Sequence, residues 1–571
     1  MLAHSRTTLA ALTLLLALSW CAGMFGRGYW TPDEPREADI AWRMSWQADK
    51  AVPLLAGEAF CEKPPLTYWV AALPIRLWGP AAWAARLPNF LYALITALAV
   101  GCLAARAIGR EAALIGAAAV STLLLSYQVA IWLATDAALL AATAVALLGF
   151  HQGFYADHTR QRWLGYTLMH AALGVGFLSK SAAAWMVPAL AIAVLIIWEK
   201  RWRELLRFEL YAGLLVQAAL ILTWVAFVYF GPDGLAHLKV FFWNNLVGRF
   251  AHVDAPAELQ YAVAHRNSPG KYFLEMPIYL FPWGFCVLAA FARTWRQRPV
   301  PAAVRFAIAA SLPSLLVLSL AATARNIYFA PALVGIGLLL SWWIGEAKAQ
   351  PRPWDIRALR ATAAILLMSA AVLALAVVII AADAWQLMPR PVMYVLISAV
   401  GLSVSGYFAW RAWPSAATPA ISVRRLFVAY AALLIGPLPQ IYAQVDAWQD
   451  LESIARAVRH DAAGSPLALI HPDETTRAII DMYASTTVSI IDGATDTWPA
   501  KIQEFGATHA HGLLLQQLPG RAPPRSAFLA RFYRAPRDTP STDQGQLGKV
   551  IGNYQLPNGR RYVLLEPAVG F

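Results

Sequence analysis

From Ala361 to Ala382 the chain reads ATAAILLMSAAVLALAVVIIAA, without one charged side chain. Roughly 20 apolar residues in a row are enough for a helix to cross a hydrocarbon core about 30 Å thick. In that core every backbone N–H and C=O must be satisfied within the segment, so such a run is helical. Runs of this kind recur through the sequence. By the same yardstick of roughly 20 residues, about thirteen candidate spans are expected: residues 7–25, 81–105, 111–128, 136–155, 163–179, 183–198, 210–230, 273–292, 305–322, 327–345, 361–383, 391–410 and 425–443. The 59% hydrophobic and 14% charged composition agrees, and defines an integral membrane protein with a polytopic α-helical fold. The N-terminal run has the look of a secretion signal, but no small-x-small cleavage pattern follows it, so it is expected to stay as the first span.

A formal charge of +13 would ordinarily raise the prospect of a nucleic-acid partner. Here most Lys and Arg fall in short gaps between apolar runs, in alternate gaps, as the positive-inside rule requires. They read as topology signals, and no nucleic acid is implied. The three exceptions, Lys180, Arg325 and Arg390, lie in turns on the opposite, non-cytoplasmic side. That side also carries two longer loops, residues 26–80 and 231–272, and a polar tail, 444–571. The tail has the short strands LALI and TVSIID, the amphipathic helix LESIARAVRH and a hairpin turning at Asn558-Gly559, so a small α/β domain is expected there after a transmembrane domain 1–443. The four cysteines are scattered and indicate neither a disulfide framework nor a thiolate metal site.

Polar residues on the non-cytoplasmic side need a reason to be there. The first loop opens with WTPDEPREADIAWRM, in which Glu34–Trp46 is expected to form an amphipathic helix lying in the interface. Capping by Thr31, with Asp33, Glu34 and Glu37 complementing the helix dipole, is a sufficient local explanation. The same loop holds CEKPPLTYW with Glu62 and Lys63. Asp136 begins a span in WLATDAALL, where an acid is costly without a partner or a task. Lys180 sits in GFLSKSAAAW, Asn244, Asn245 and Arg249 in FFWNNLVGRF, and Arg325 and Tyr328 in ARNIYFAP. Individually these admit plain readings: a cap for Thr135 or Asp136, a surface ion pair for Glu62 and Lys63, a snorkelling Lys180. Together they place carboxylates (Asp33, Glu34, Glu62, Asp136), cations (Arg36, Lys63, Lys180, Arg249, Arg325) and a phenol (Tyr328) around one vestibule. Such a site binds a phosphate and still offers a carboxylate to a reaction, which transfer from a lipid-phosphate donor requires. At an effective dielectric near 20, a cation about 4 Å from a leaving phosphate is worth up to ~4 kcal/mol, roughly a thousandfold in rate if the charge develops in the transition state.

These motifs, in this order, resemble the GT-C superfamily of membrane glycosyltransferases, in particular the bacterial aminoarabinose transferases and their protein-mannosyltransferase relatives. DEPREADIAWRM is similar to the family's Asp-Glu-x-Arg loop ending in Met, CEKPPLTYW to its Glu-Lys-Pro loop, TDAALL to its second acidic motif, GFLSKSAAAWMVP to its Gly-Phe-Leu-x-Lys segment and ARNIYFAP to its Tyr-x-x-Pro segment. The likeness covers most of residues 1–345. It implies a fold of about thirteen transmembrane helices with a small periplasmic α/β domain, in a bacterial inner membrane. It also implies an undecaprenyl-phosphate-sugar donor used on the periplasmic face with inversion, a lipid A or protein acceptor, and no nucleotide cofactor. Asp33, Asp136 and Glu34 are then the expected catalytic acids, with Asp33 the first choice of base. Arg36, Lys63, Lys180, Arg249, Arg325 and Tyr328 are expected to hold the substrate. Glu62 matches a ligand of the family's divalent metal, and Asn244 stands where those enzymes place a histidine.

Two other classes of protein share some of these features. A flippase or transporter tends to show repeated halves and coupling charges near the midplane, and neither is visible. A lipid-linked polysaccharide polymerase or ligase works on the same carrier, but leaves a pyrophosphate where a single-sugar transferase leaves a monophosphate.

Overall fold

Where the chain is apolar it is helical. The structure is a computed structural model and describes residues 6–249, 268–321, 325–385, 390–484, 488–491, 498–518 and 548–567. Among the described residues, eight helices are long and apolar enough to cross a membrane, or up to ten spans if each of two bent helix pairs counts as one. The bent pairs are Ala112–Thr122 with Leu124–Ile131, at 71°, and Lys271–Tyr279 with Gly284–Trp295, at 111°. Leu123 takes an extended conformation at the first break, and Pro282, which has no N–H to donate, lies in the second. The sequence count of thirteen is therefore not reached by length and composition. The other three expected spans fall on Arg6–Met24, Thr159–Lys180 and Ala183–Glu199, which are helical but shorter or more polar.

Small residues decide how closely the bundle packs. Gly149 and Gly153 lie one turn apart on helix Asp136–Phe154 and face Gly165 of helix Thr159–Lys180. A methyl group on Gly165 would come within 2.3 Å of the Gly153 nitrogen, so the two backbones touch, as in small-xxx-small membrane packing. Aromatic side chains fill the space around this contact, Phe150, Phe154, Phe306 and Trp343 among them, all without exposed surface. Arg293, expected only as a topology signal, is buried: it donates to Asp355 at 2.7 Å, and the Trp343 indole donates to the same carboxylate at 2.7 Å.

At one end of the bundle helix Asp33–Trp46, expected to lie in the membrane interface, packs instead within protein, against helix Leu66–Trp78 and against helix Glu474–Ala484 of the C-terminal region, with Ile40 fully buried. That region carries a five-stranded sheet in the order Val488–Ile491, Leu467–Ile470, Leu513–Gln517, Arg561–Pro567, Gly548–Gln555. The first three strands are parallel, and Leu467–Ile470 between them is buried along its whole length, as a strand with parallel neighbours on both sides should be. The last two form the hairpin expected at Asn558-Gly559, where Gly559 takes the positive φ the turn demands. One apolar cluster runs through both regions, joining Ile40, Met44 and Tyr68 to Leu451, Val458 and Ile479. The C-terminal α/β region is thus packed onto helix Asp33–Trp46.

Candidate functional site

Neighbouring residues on a helix point about 100° apart, while residues three and four apart share a face. On helix Asp33–Trp46 this separates the opening acids. Asp33, Arg36 and Glu37 form one polar face, and Glu34 turns the other way, into protein. Glu34 has no exposed surface and accepts from Arg27 (2.8 Å), from Arg86 (2.6 and 2.9 Å) and from the backbone N–H groups of Trp30 (2.7 Å) and Leu133 (2.9 Å). Burial pushes its carboxyl up, but the two guanidiniums outweigh that and hold it at about 2. Every lone pair is engaged, so the structure places this expected catalytic acid in an internal ion cluster rather than in the vestibule. Thr31 does not cap the helix; its hydroxyl donates to Gln449 at 2.9 Å.

Asp33 faces outward and receives both arms of Arg325, at 2.5 and 3.1 Å, a fork-to-fork pair between positions 292 residues apart. Burial tends to raise its carboxyl; the Arg325 hydrogen bonds, with Lys63 and Arg36 nearby, bring it below the ordinary carboxylate value. Asp136 accepts from Lys180 at 2.5 Å, and the Lys180 ammonium lies 4.6 Å from the centre of the Tyr328 ring. Neither a cap at Thr135 nor snorkelling of Lys180 is seen. The charge of Asp136 is felt at Arg325, so the two acid–cation pairs adjoin. Lys63 bonds to Glu37 on the helix face beside Asp33, and no surface pair with Glu62 forms. Arg36 meets Glu474 of the C-terminal unit at 3.0 Å. Asp33, Arg36, Lys63, Asp136, Lys180, Arg325 and Tyr328 therefore come together as the sequence led one to expect.

The second loop is only partly within view. Its segment Lys239–Leu246 is π-helical, a conformation that recurs at functional sites, and buries Asn244 and Asn245. Asn245 donates to the Glu62 carbonyl at 2.5 Å, tying this loop to the first. Arg249 ends the turn Val247–Arg249, and residues 250–267 lie outside the described ones. Glu62 and Asn244 offer one carboxylate and one amide oxygen. Among the described residues no group of three or more His, Cys, Asp or Glu is placed to hold a metal, and this donor set does not fit a zinc site. Glu474 and the Arg27–Arg86 cluster around Glu34 were not singled out from sequence, and Glu37 was read only as a complement to the helix dipole, not as the partner of Lys63. Arg86 carried a signal, a guanidinium inside the run expected to span residues 81–105.

Comparison with known proteins sharpens this picture. Residues 62–227 match the family of dolichyl-phosphate-mannose-protein mannosyltransferases. Curated relatives include undecaprenyl phosphate-alpha-4-amino-4-deoxy-L-arabinose arabinosyl transferases of Pseudomonas paraeruginosa, 28% identical over 415 residues (72% of each chain), and of Erwinia tasmaniensis, 29% identical over 405 residues (70% of each). The chain resembles the aminoarabinose transferases. The likeness extends to the whole architecture: the crystal structure of ArnT from Cupriavidus metallidurans bound to undecaprenyl phosphate superimposes with a TM-score of 0.73 over 98% of both chains, at 17% identity. At that identity it speaks for the fold alone. The shared fold thus extends from the first helix to the C-terminal sheet.

Proposed function

We propose that this protein is a glycosyltransferase that moves one sugar from an undecaprenyl-phosphate-type carrier to lipid A, with inversion, at the periplasmic face of a bacterial inner membrane. The observation that carries it is the pairing of two acids with two cations, Asp33 with Arg325 and Asp136 with Lys180, at one end of the bundle. A resting site whose acids are already neutralised exchanges partners when an anion enters: phosphate oxygens take over the cations and leave the carboxylates free. Arg325, Lys180, Lys63 and Arg36 then stabilise the phosphate as the bond from sugar C1 to its oxygen breaks and the electron pair stays with the lipid monophosphate. An acceptor oxygen forms the new bond to C1 from the opposite side. A lipid A phosphate arrives as an anion and has little need of a base. A hydroxyl acceptor gives its proton to a carboxylate, and Asp33 is the group assigned to take it. Glu34 and the arginines around it hold the helix that presents Asp33. Arg249 is assigned to the phosphate by resemblance. Glu62 and Asn244 offer oxygens that suit a hard divalent cation better than zinc, and no step is routed through them.

The match to protein mannosyltransferases favours a second acceptor class, a protein hydroxyl, for the same donor. Mass spectrometry of lipid A and of periplasmic glycoproteins from cells with and without the gene separates the two. The test of the site is Asp33→Asn. Sugar transfer is expected to be abolished while membrane insertion and abundance stay normal, and retained transfer would remove Asp33 from the mechanism.

A further inference from the structure

Three ion pairs join helix Glu474–Ala484 to the loop that carries the site: Arg43 with Asp481, Arg477 with Glu58 at 2.7 Å, and Arg36 with Glu474 at 3.0 Å. They are not equivalent. Arg43 and Asp481 are both enclosed, with side chains 12% and 13% exposed. Glu474 is 56% exposed, while its partner Arg36 is 19% exposed and has the centre of the Phe60 ring 5.6 Å away. Arg36 lies on the same helix face as Asp33, close enough for its charge to be felt there, and has Glu62 and Glu37 as further charged neighbours. The backbone that carries Glu474 is fixed, which keeps its exposed side chain within reach of Arg36. Glu474 is the first residue of an 11-residue helix whose start is capped by Asp473, which accepts from the Thr476 N–H at 2.8 Å and is itself gripped by Arg560. A carboxylate of the C-terminal unit thus rests on a guanidinium of the phosphate site.

We propose that Glu474 is the resident anion of the carrier-phosphate site, displaced from Arg36 when the phosphate binds and returning when it leaves. The inference rests on the transfer reading given above and adds a role for the C-terminal unit in it. A guanidinium fork fits a carboxylate and a phosphate alike, and a pair open to water on one side is held only weakly, so a lipid phosphate wins the exchange. The displaced carboxylate stays at the rim, where it opposes bound negative charge. The leaving lipid monophosphate carries more negative charge than the sugar-phosphate diester, as phosphate monoesters carry about −1.5 to −2 at neutral pH. Glu474 therefore opposes product more than donor and hastens its departure.

The experiment uses the full-length protein in detergent or nanodiscs with a polyprenyl-phosphate sugar as donor and polyprenyl phosphate as inhibitor. In Glu474→Gln, the donor KM and the inhibition constant of polyprenyl phosphate are both expected to fall, by about two- to five-fold, the latter more. Loosened docking of the C-terminal unit would weaken binding, so tighter binding cannot come from damage. Arg477→Gln, which removes a neighbouring pair without touching Arg36, should leave both constants at their wild-type values. Unchanged or raised constants in Glu474→Gln overturn the proposal. Arg36→Gln tests the underlying reading separately: both constants should rise, and if they do not, Arg36 is no phosphate ligand.

Discussion

Asp33 and Glu34 are adjacent acids with opposite tasks, set by which face of one helical turn each occupies. Glu34 compensates Arg27 and Arg86, which have hardly any solvent contact, so Glu34→Gln leaves two buried guanidiniums without a counter-charge. A loss of about 3–5 kcal/mol is expected, read as a fall in the thermal midpoint or in folded yield. Because its folded carboxyl is depressed to about 2, the stabilisation is complete at neutral pH and is lost only as pH falls through that value. Asp33 is likewise held down against the contrary pull of burial, but by Arg325 arriving from far along the chain, with Lys63 and Arg36 nearby. Its ionised form persists as pH falls to below the ordinary aspartate range. Removing the guanidinium in Arg325→Gln leaves burial to dominate, so the acid limb of the pH profile of kcat/KM is expected to move to higher pH. From the sequence both acids looked alike, because motif and spacing specify a polar turn, and only the partners arriving from residues 27, 86 and 325 distinguish its two faces.

Helix Asp33–Trp46 is the element on which everything else converges, and its far end carries a second device. Asp39 is fully buried; burial and the nearby negative charge of Asp481 raise its carboxyl well above the usual range, against the Ala56 N–H and Arg43. A raised acid favours the folded state at low pH and loses that contribution as pH rises through the folded value. Docking of helix Glu474–Ala484 should therefore weaken toward alkaline pH. Asp39→Asn, a neutral isostere, should flatten this dependence, measured as hydrogen-exchange protection of residues 474–484 against pH. In the bundle, Gly165→Ala drives a methyl into the backbone of the facing helix, and a loss of roughly 1–3 kcal/mol in detergent is expected. The existence of these helices was legible because apolar runs of span length admit no alternative in lipid. The bend at Leu123 was not, since it sits inside an apolar run without a breaker, whereas Pro282 marked the second bend. The close glycine contact needs two runs to be read against each other.

At the scale of the whole molecule, the C-terminal strands and hairpin could be read from turn chemistry and alternation, but their attachment could not. Nothing in LESIARAVRH or ETTRAIIDMYA says that their apolar faces complete a cluster begun by Ile40 and Met44. A chain cut before Asp446 would lose that cluster and the 2.8 Å bond from the Gly28 N–H to Asp446. It is expected to elute as aggregate on detergent gel filtration, whereas a freely tethered module could be removed without effect. The candidate site was read more fully than its surroundings, because charged residues in apolar context are conspicuous while a partner such as Glu474 sits in an ordinary polar stretch. The 292 residues between Asp33 and Arg325 also set an order of events during synthesis. At about 5–20 residues per second the ribosome needs roughly 15–60 s to deliver the arginine after the acid. Glu34 meets Arg86 after only 52 residues. A nascent chain can therefore seat the helix Asp33–Trp46 early through Glu34, while the Asp33–Arg325 pair, and with it a complete set of phosphate-binding cations, waits until the later helices have been threaded.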